Sequence, residues 1–217
     1  MKSDHSGAPV LKLSAVEVTG IKEIGLGDRC CIDLVSRFTE GLKLTKGAGI
    51  VVGSSTKGLF LIHAENIETS FGIKQRPFRV NAGPVSMYVL VPPRDEDGGY
   101  QTKYLWELEA GDKVLAVNYL GSVRDAIVGR NKIESRPLTM ITAVHPTLPN
   151  PYKGGSLDFI HTFVQTAETT HLVTKNGDPL PLTELKVGDK ILAHAENPRR
   201  DARHFGIAVI GIKIIEK

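Results

Sequence analysis

Four stretches of the sequence hold residue types that can do chemistry. In "LIHAEN", His63 and Glu65 stand two apart, so on a strand both side chains leave the same face. That spacing suits a metal site or a base with its orienting carboxylate, and it equally suits an exposed polar face. In "RPFRVNAGPVSMYVLVP", Arg76, Arg79 and Asn81 can converge on an anion, and on a regular strand Arg79 and Asn81 share a face. Gly83-Pro84 would interrupt a central ladder there, and the opposing reading is an edge strand with solvated arginines. "VQTAETTHLV" adds Gln165, Glu168 and His171, and "ARHFG" adds Arg203 and His204 beside a phenylalanine. Arginines would bind a carboxylate while His63 or His204 moves protons. Glu65 and Glu168 would orient the bases or hold a divalent ion such as manganese. Removing a proton next to a carbonyl needs such a base and an electrophile for the enolate.

Composition removes several other classes. The 27 Lys and Arg against 24 Asp and Glu leave a formal charge of +3, dispersed along 217 residues, too mild for a nucleic-acid partner. No apolar run reaches the ~20 residues of a membrane span, and the first ten residues lack the apolar core of a signal peptide, so a cytoplasmic protein is expected. Cys30 and Cys31 are adjacent, a spacing that seldom bridges, and read as buried free thiols. The phosphate loop, CxxC pairs, HExxH and GxSxG are all missing. "GLGDRC" is no dinucleotide fingerprint, because it lacks the third glycine and opens a strand.

The elements that must position these residues are strands. Short apolar runs such as "VLKLSAVEV", "GAGIVVGS", "GLFLIHA", "DKVLAVNYLG", "PLTMITAV", "DKILAHA" and "GIAVIGIKIIE" are punctuated by turn residues, while "TKYLWELEAG" allows about two helical turns. The chain also repeats itself. "LWELEAGDKVLA" (105–116) matches "LTELKVGDKILA" (182–193), and "IKEIGLGDRCCI" (21–32) is a fainter copy. Each predicts a turn with Gly27, Gly111 or Gly188 at positive φ, and Asp28, Asp112 or Asp189 bonding backbone amides. The expected fold is therefore mainly β: three related small β-barrel-like units with short helices, at 8–71, 72–146 and 147–217, within one compact domain. "VPPRDEDGGYQT" and "HPTLPNPYKGGS" read as surface connections.

Through "RPFRVNAGPV", "GLFLIHAE", "TKYLWELEAGDKVL", "KIESRP" and "ARHFGIAVIGIKIIEK", the chain resembles the archaeal-type, NAD-dependent (type II) 3-dehydroquinate synthases from about Leu11 to Lys217. The resemblance implies oxidative deamination of a C7 2-amino-6-ulosonic acid and ring closure, with NAD as cofactor, a small amino keto acid as substrate, and a homo-oligomer or a separate partner chain. Family members usually carry a further region before the part matching Leu11. With no phosphate-cradling loop in view, this chain alone is expected not to hold NAD tightly. The family's "NAGPVHAY" reads "NAGPVSMY" here, with Ser86 for an imidazole, and "QNAET" reads "QTAET", with Thr166 for an amide. Two alternatives stay open: a metal-dependent cyclase resembling the aminohydroxybenzoate synthases, and a non-catalytic binding subunit.

Overall fold

The computed structural model describes residues 2–3, 9–35, 46–55, 58–65, 79–93, 100–149, 157–195, 203–204 and 207–208. A small hairpin pairs β1 (Lys2–Ser3) with β2 (Pro9–Val10). The main sheet is built from β3 (Ser14–Leu34), β4 (Gly49–Ser55), β5 (Gly58–His63), β6 (Arg79–Pro84), β7 (Tyr88–Val91), β8 (Gln101–Tyr104) and β9 (Lys113–Val117). It continues through β10 (Val123–Pro149), β11 (Leu157–Gln165), β12 (His171–Val173), β13 (Pro179–Pro181) and β14 (Lys190–Ala195). A last two-stranded piece joins β15 (Arg203–His204) to β16 (Ile207–Ala208). The expected mainly β fold is what forms, and no helix among the described residues is long and apolar enough to cross a membrane.

Pairing order shows how the sheet closes. β5 pairs β14, β14 pairs β3, β3 pairs β10, β10 pairs β9, β9 pairs β4, and β4 returns to β5. This single ring draws strands from all three sections of the chain, in place of one small barrel per section. Its interior is filled by every second residue: Val16, Val18, Ile32, Ile50, Val52, Phe60, Ile62, Val114, Ala116, Val128, Ile191 and Ala193 are buried in one cluster. On the outer face of β4, β5 and β9 lie Val51, Leu59, Leu61, Leu115 and Val117, packed with Leu11, Leu90 and Leu192. β4 and β5 are thus covered on both faces, which is why they read as unbroken apolar runs.

The two strong repeats fold alike, down to individual hydrogen bonds. Leu105–Glu107 and Leu182–Glu184 each form one 3-10 turn, shorter than the two helical turns expected at the first of them. Leu105 N–H donates to Met87 O and Leu182 N–H to Thr170 O, both at 2.8 Å. Glu109 N–H donates to Asp112 Oδ2 (3.0 Å) and Lys186 N–H to Asp189 Oδ2 (2.8 Å). Gly111 N–H reaches Val128 O on β10, and Gly188 N–H reaches Val18 O on β3, each at 2.8 Å. Their φ angles are +95° and +97°.

The faint third copy behaves differently. Gly27 has no positive φ and sits inside β3 opposite Arg136, where a Cβ would stand 2.5 Å from Leu138 Cδ1. The left-handed residue here is Gly25 (φ +93°), at a point where the β3–β10 register slips. Asp28 is therefore a strand residue opposite Ser135, and the Gly-Asp pair of this copy makes no turn.

Gly111 and Gly188 have open space where a Cβ would stand, so an added methyl meets only the backbone cost of positive φ. Gly111→Ala and Gly188→Ala should each destabilise the fold by about 1–2 kcal/mol, and by nearly equal amounts, in urea unfolding. A large difference between them would mean that the two turns are not equivalent.

Candidate functional site

β6 carries the alternation of "RVNA" literally. Val80 and Ala82 enter the barrel core, while Arg79 and Asn81 leave from the opposite face. β3 does the same beside it: Cys30, Ile32 and Leu34 point inward, and Arg29, Cys31 and Asp33 point out. Register then aligns the polar sets, with Asp33 opposite Arg79, Cys31 opposite Asn81, and on the other side Asp33, Cys31 and Arg29 opposite Arg130, Lys132 and Glu134 of β10. Paired residues on antiparallel strands project to one side, so these groups form one outward-facing cluster.

Just past the end of β5 the chain turns to meet this cluster. Glu65 N–H donates to Arg79 O at 2.7 Å, and Glu65 Oε1 accepts from Asn81 Nδ2 at 2.7 Å. Asn81 Nδ2 also approaches Thr169 Oγ1 (3.4 Å) and Thr169 O (3.5 Å). Thr169 O accepts from His171 Nδ1 at 3.2 Å, which leaves the other ring nitrogen of His171 as an acceptor when the ring is neutral. His171 meets His63 edge to face, centroids 6.1 Å apart. A line His63, His171, Thr169, Asn81, Glu65 therefore runs into the arginine cluster. Arg79 Nε donates to Asp33 Oδ1 (3.1 Å), and Arg130 holds Asp33 Oδ2 through both Nε and Nη2. Arg29 Nη2 donates to Glu134 Oε2 at 3.1 Å.

Electrostatics divide the labour. Burial, with the nearby His171, pushes the His63 pKa down to about 4, so its imidazole is uncharged at neutral pH. Burial raises Glu65, against the pull of the Arg79 and Arg29 charges. The Asp33 hydrogen bond raises Arg79 and keeps it a fixed cation. Burial lifts the Cys30 thiol to about 11 and raises Cys31 as well, so neither is a ready thiolate, consistent with buried free cysteines.

Of the residues singled out from sequence, His63, Glu65, Arg79, Asn81 and His171 come together. Glu168 is exposed in the turn after β11, next to Thr169. Arg76 lies outside the described residues. Arg203 and His204 form β15, whose backbone lies against β8, and β8 is three strands from β5 in the sheet order, so no described contact joins them to the His63 line. Ser86 is exposed in the β6–β7 turn, and Thr166 Oγ1 pairs with Thr139 Oγ1 at 2.8 Å. Arg29, Asp33, Arg130, Glu134 and Thr169 join the site without having been singled out. For Arg29, Asp33 and Glu134 the available signal was the strand alternation of "RCCID" and of "KIESRP".

Two cofactors were expected. The metal set His63, Glu65 and Glu168 is not assembled: among the described residues no group of three or more His, Cys, Asp or Glu is placed to hold an ion. The Glu65 carboxylate is taken up by Asn81 instead. For NAD, the helical elements among the described residues are two three-residue 3-10 turns, too short to offer a pyrophosphate the N-terminus of a helix. The described residues thus show no fit to either group.

Comparison with known proteins agrees with the motifs. Residues 15–217 match the family model described as the 3-dehydroquinate synthase II C-terminal domain. The 3-dehydroquinate synthase of Methanocaldococcus jannaschii is 47% identical over 205 residues, covering 94% of this chain and 49% of that protein. That of Methanopyrus kandleri is 45% identical over 207 residues, covering 95% and 46%. No solved structure matches. The chain spans about half the length of these relatives, and the part it matches is the one that places His63, Glu65, Arg79 and Asn81: it belongs to the 3-dehydroquinate synthase II family, through that family's C-terminal domain.

Proposed function

We propose that this chain carries the acid–base and substrate-holding part of a 3-dehydroquinate synthase II reaction, acting on a C7 2-amino-6-ulosonic acid. The observation that supports this most is the neutral His63 placed in line with Glu65, Asn81 and a face of arginines. Ring closure needs a proton taken from a carbon beside a ketone, and the half-buried His63, uncharged at neutral pH, has a ring nitrogen free to take it, as a weaker base than an ordinary imidazole. His171 borders the base, and its Nδ1 is held by Thr169 O, which fixes the ring's orientation. Asn81 lends its amide to Glu65, whose burial-raised pKa lets it hold a proton to higher pH than a free carboxyl and return it to an enolate oxygen. NAD is the oxidant that the family resemblance implies for the deamination.

The direct test supplies the amino ulosonic acid to the purified chain, with and without NAD and with and without manganese, and follows 3-dehydroquinate. Product that requires NAD, and only at NAD concentrations high enough to offset weak binding, is expected. Turnover with manganese alone would favour the aminohydroxybenzoate-type cyclase, and no turnover under any condition would favour a binding subunit. His63→Ala should lower kcat by about 100-fold or more with the fold intact, the scale of a lost general base. An unchanged rate would remove His63 from the chemistry.

The low pKa of His63 also sets two pH dependences. The acidic limb of kcat/KM should fall near pH 4 and not near the ordinary 6.5. Stability follows the same shift. Because the folded value lies below the unfolded 6.5, the contribution of His63 is complete above about pH 6.5 and is lost as pH falls toward 4, while the unfolded chain takes up a proton that the folded one refuses. His63→Gln should flatten urea-unfolding stability between pH 4 and 6.5, and a slope as steep as the parent's would contradict the assignment.

A further inference from the structure

Arg29 is the most deeply buried charge of the polar face, only 3% exposed. Its Nη2 is held by Glu134, but Nε and Nη1 are closed off from solvent and find no acceptor among the described residues. An ionised group placed this way is costly unless something completes its hydrogen bonds. Its one partner is already shared: Glu134 also faces Lys132 at 3.5 Å and Arg136 at 3.3 Å. Asp33 is likewise shared by Arg79 and Arg130. Five cations thus stand against two paired carboxylates, and the third acid nearby, Glu65, is one whose ionisation burial opposes. Even with Glu65 ionised, the cluster keeps an excess of two positive charges.

We infer that this face is an anion site whose floor is Arg29, and that its ligand is the carboxylate of a small hydroxylated acid. The inference rests on the function proposed above and goes beyond it by giving the substrate's carboxylate to Arg29. Of the residues expected to bind the substrate, Arg79 holds Asp33 through Nε, Asn81 holds Glu65 through Nδ2, and Arg76 lies outside the described residues. The floor position selects for size, since a group that reaches two solvent-shielded nitrogens must be small. Asn81 stands on the same face opposite Cys31, two residues along β3 from Arg29, with Thr169 Oγ1 at 3.4 Å from its Nδ2, and hydroxyls of the ligand would lie there. Unmet guanidinium donors favour an oxyanion with two acceptor atoms, as a carboxylate has.

The test uses the 217-residue chain and quinate, a ring polyhydroxy carboxylate, with its methyl ester as the uncharged control and inorganic phosphate as the competing anion. In the assigned nitrogen spectrum of the unaltered chain, the Arg29 Nε–H resonance should exchange slowly with water and should shift on adding quinate, while the ester leaves it in place. Arg29→Lys, which keeps the charge but loses the fork, should weaken quinate binding about tenfold or more and raise KM for the amino ulosonic acid about as much, with a smaller change in kcat. Lys113→Gln, a surface change in the Lys113–Asp125 pair on β9 and β10, should alter neither. A resonance that quinate does not move, or one that phosphate moves and quinate does not, overturns the inference, and it does so without any variant that has to fold. A chain that binds quinate at Arg29 but never turns over the amino ulosonic acid defeats the proposed function and leaves the anion site standing. Turnover with an unmoved Arg29 resonance does the reverse.

Discussion

The antiparallel ladder between β3 and β10 is the constraint on which the rest depends. It pairs Val128 with Leu34 at one end and Val144 with Glu17 at the other, and the chain between Leu34 and Val128 runs through residues 35–127. Closing a loop of that length is entropically expensive, and the ladder offsets it by laying two long strands side by side so that each can carry further strands on its free edge. β14 and β6 attach to β3, and β9 and β11 attach to β10. Remove this pairing and the ring has no wall between its two halves.

Seen from that ladder, the molecule is nearly symmetric. The Gly111 turn docks on Val128 of β10 and the Gly188 turn on Val18 of β3, each followed by a strand that runs antiparallel along its host. β7 with β8 corresponds to β12 with β13, and the outer wall is completed by β4 against β7 and β9, and by β5 against β12 and β14. Chemistry breaks the symmetry. The position of His171, two residues after the loop carrying Thr169, corresponds to Tyr88, which stacks on Tyr104 with their hydroxyls 3.1 Å apart. One half thus offers an imidazole beside His63, and the other a closed aromatic pair.

The polar face gains its character from crowding on a rigid frame. Arg29, Asp33, Arg79, Arg130 and Glu134 are brought within hydrogen-bonding reach by strand register, so their side chains have few alternatives to the geometry seen. Exposed ion pairs contribute little, but Asp33 and Arg29 are nearly sealed from solvent, where an unmatched charge is felt strongly. Partial burial of His63 and Glu65 moves both away from their ordinary titration ranges, in the directions that leave one uncharged and the other readier to hold a proton.

Local pattern determined a good deal by itself. The strands were legible because alternation and turn residues act over a few neighbours, and so were the shared faces of Arg79 with Asn81 and of His63 with Glu65, which follow from a two-residue period. The turns at Gly111 and Gly188 were legible because one twelve-residue pattern occurs twice. Tertiary structure decided what register and burial control. Gly27 looked like a third turn, yet β3 runs straight through it, since pairing with β10 supplies the hydrogen bonds that a turn would otherwise make. β3 could not be read as one strand because its exposed stretch at 19–28 follows no apolar alternation. Arg29 and Glu134, 105 positions apart, meet only through that ladder. The meeting of His63 with His171 depends in turn on β12 pairing with β5 at Leu172 and Ile62, a contact between distant segments that no local spacing encodes.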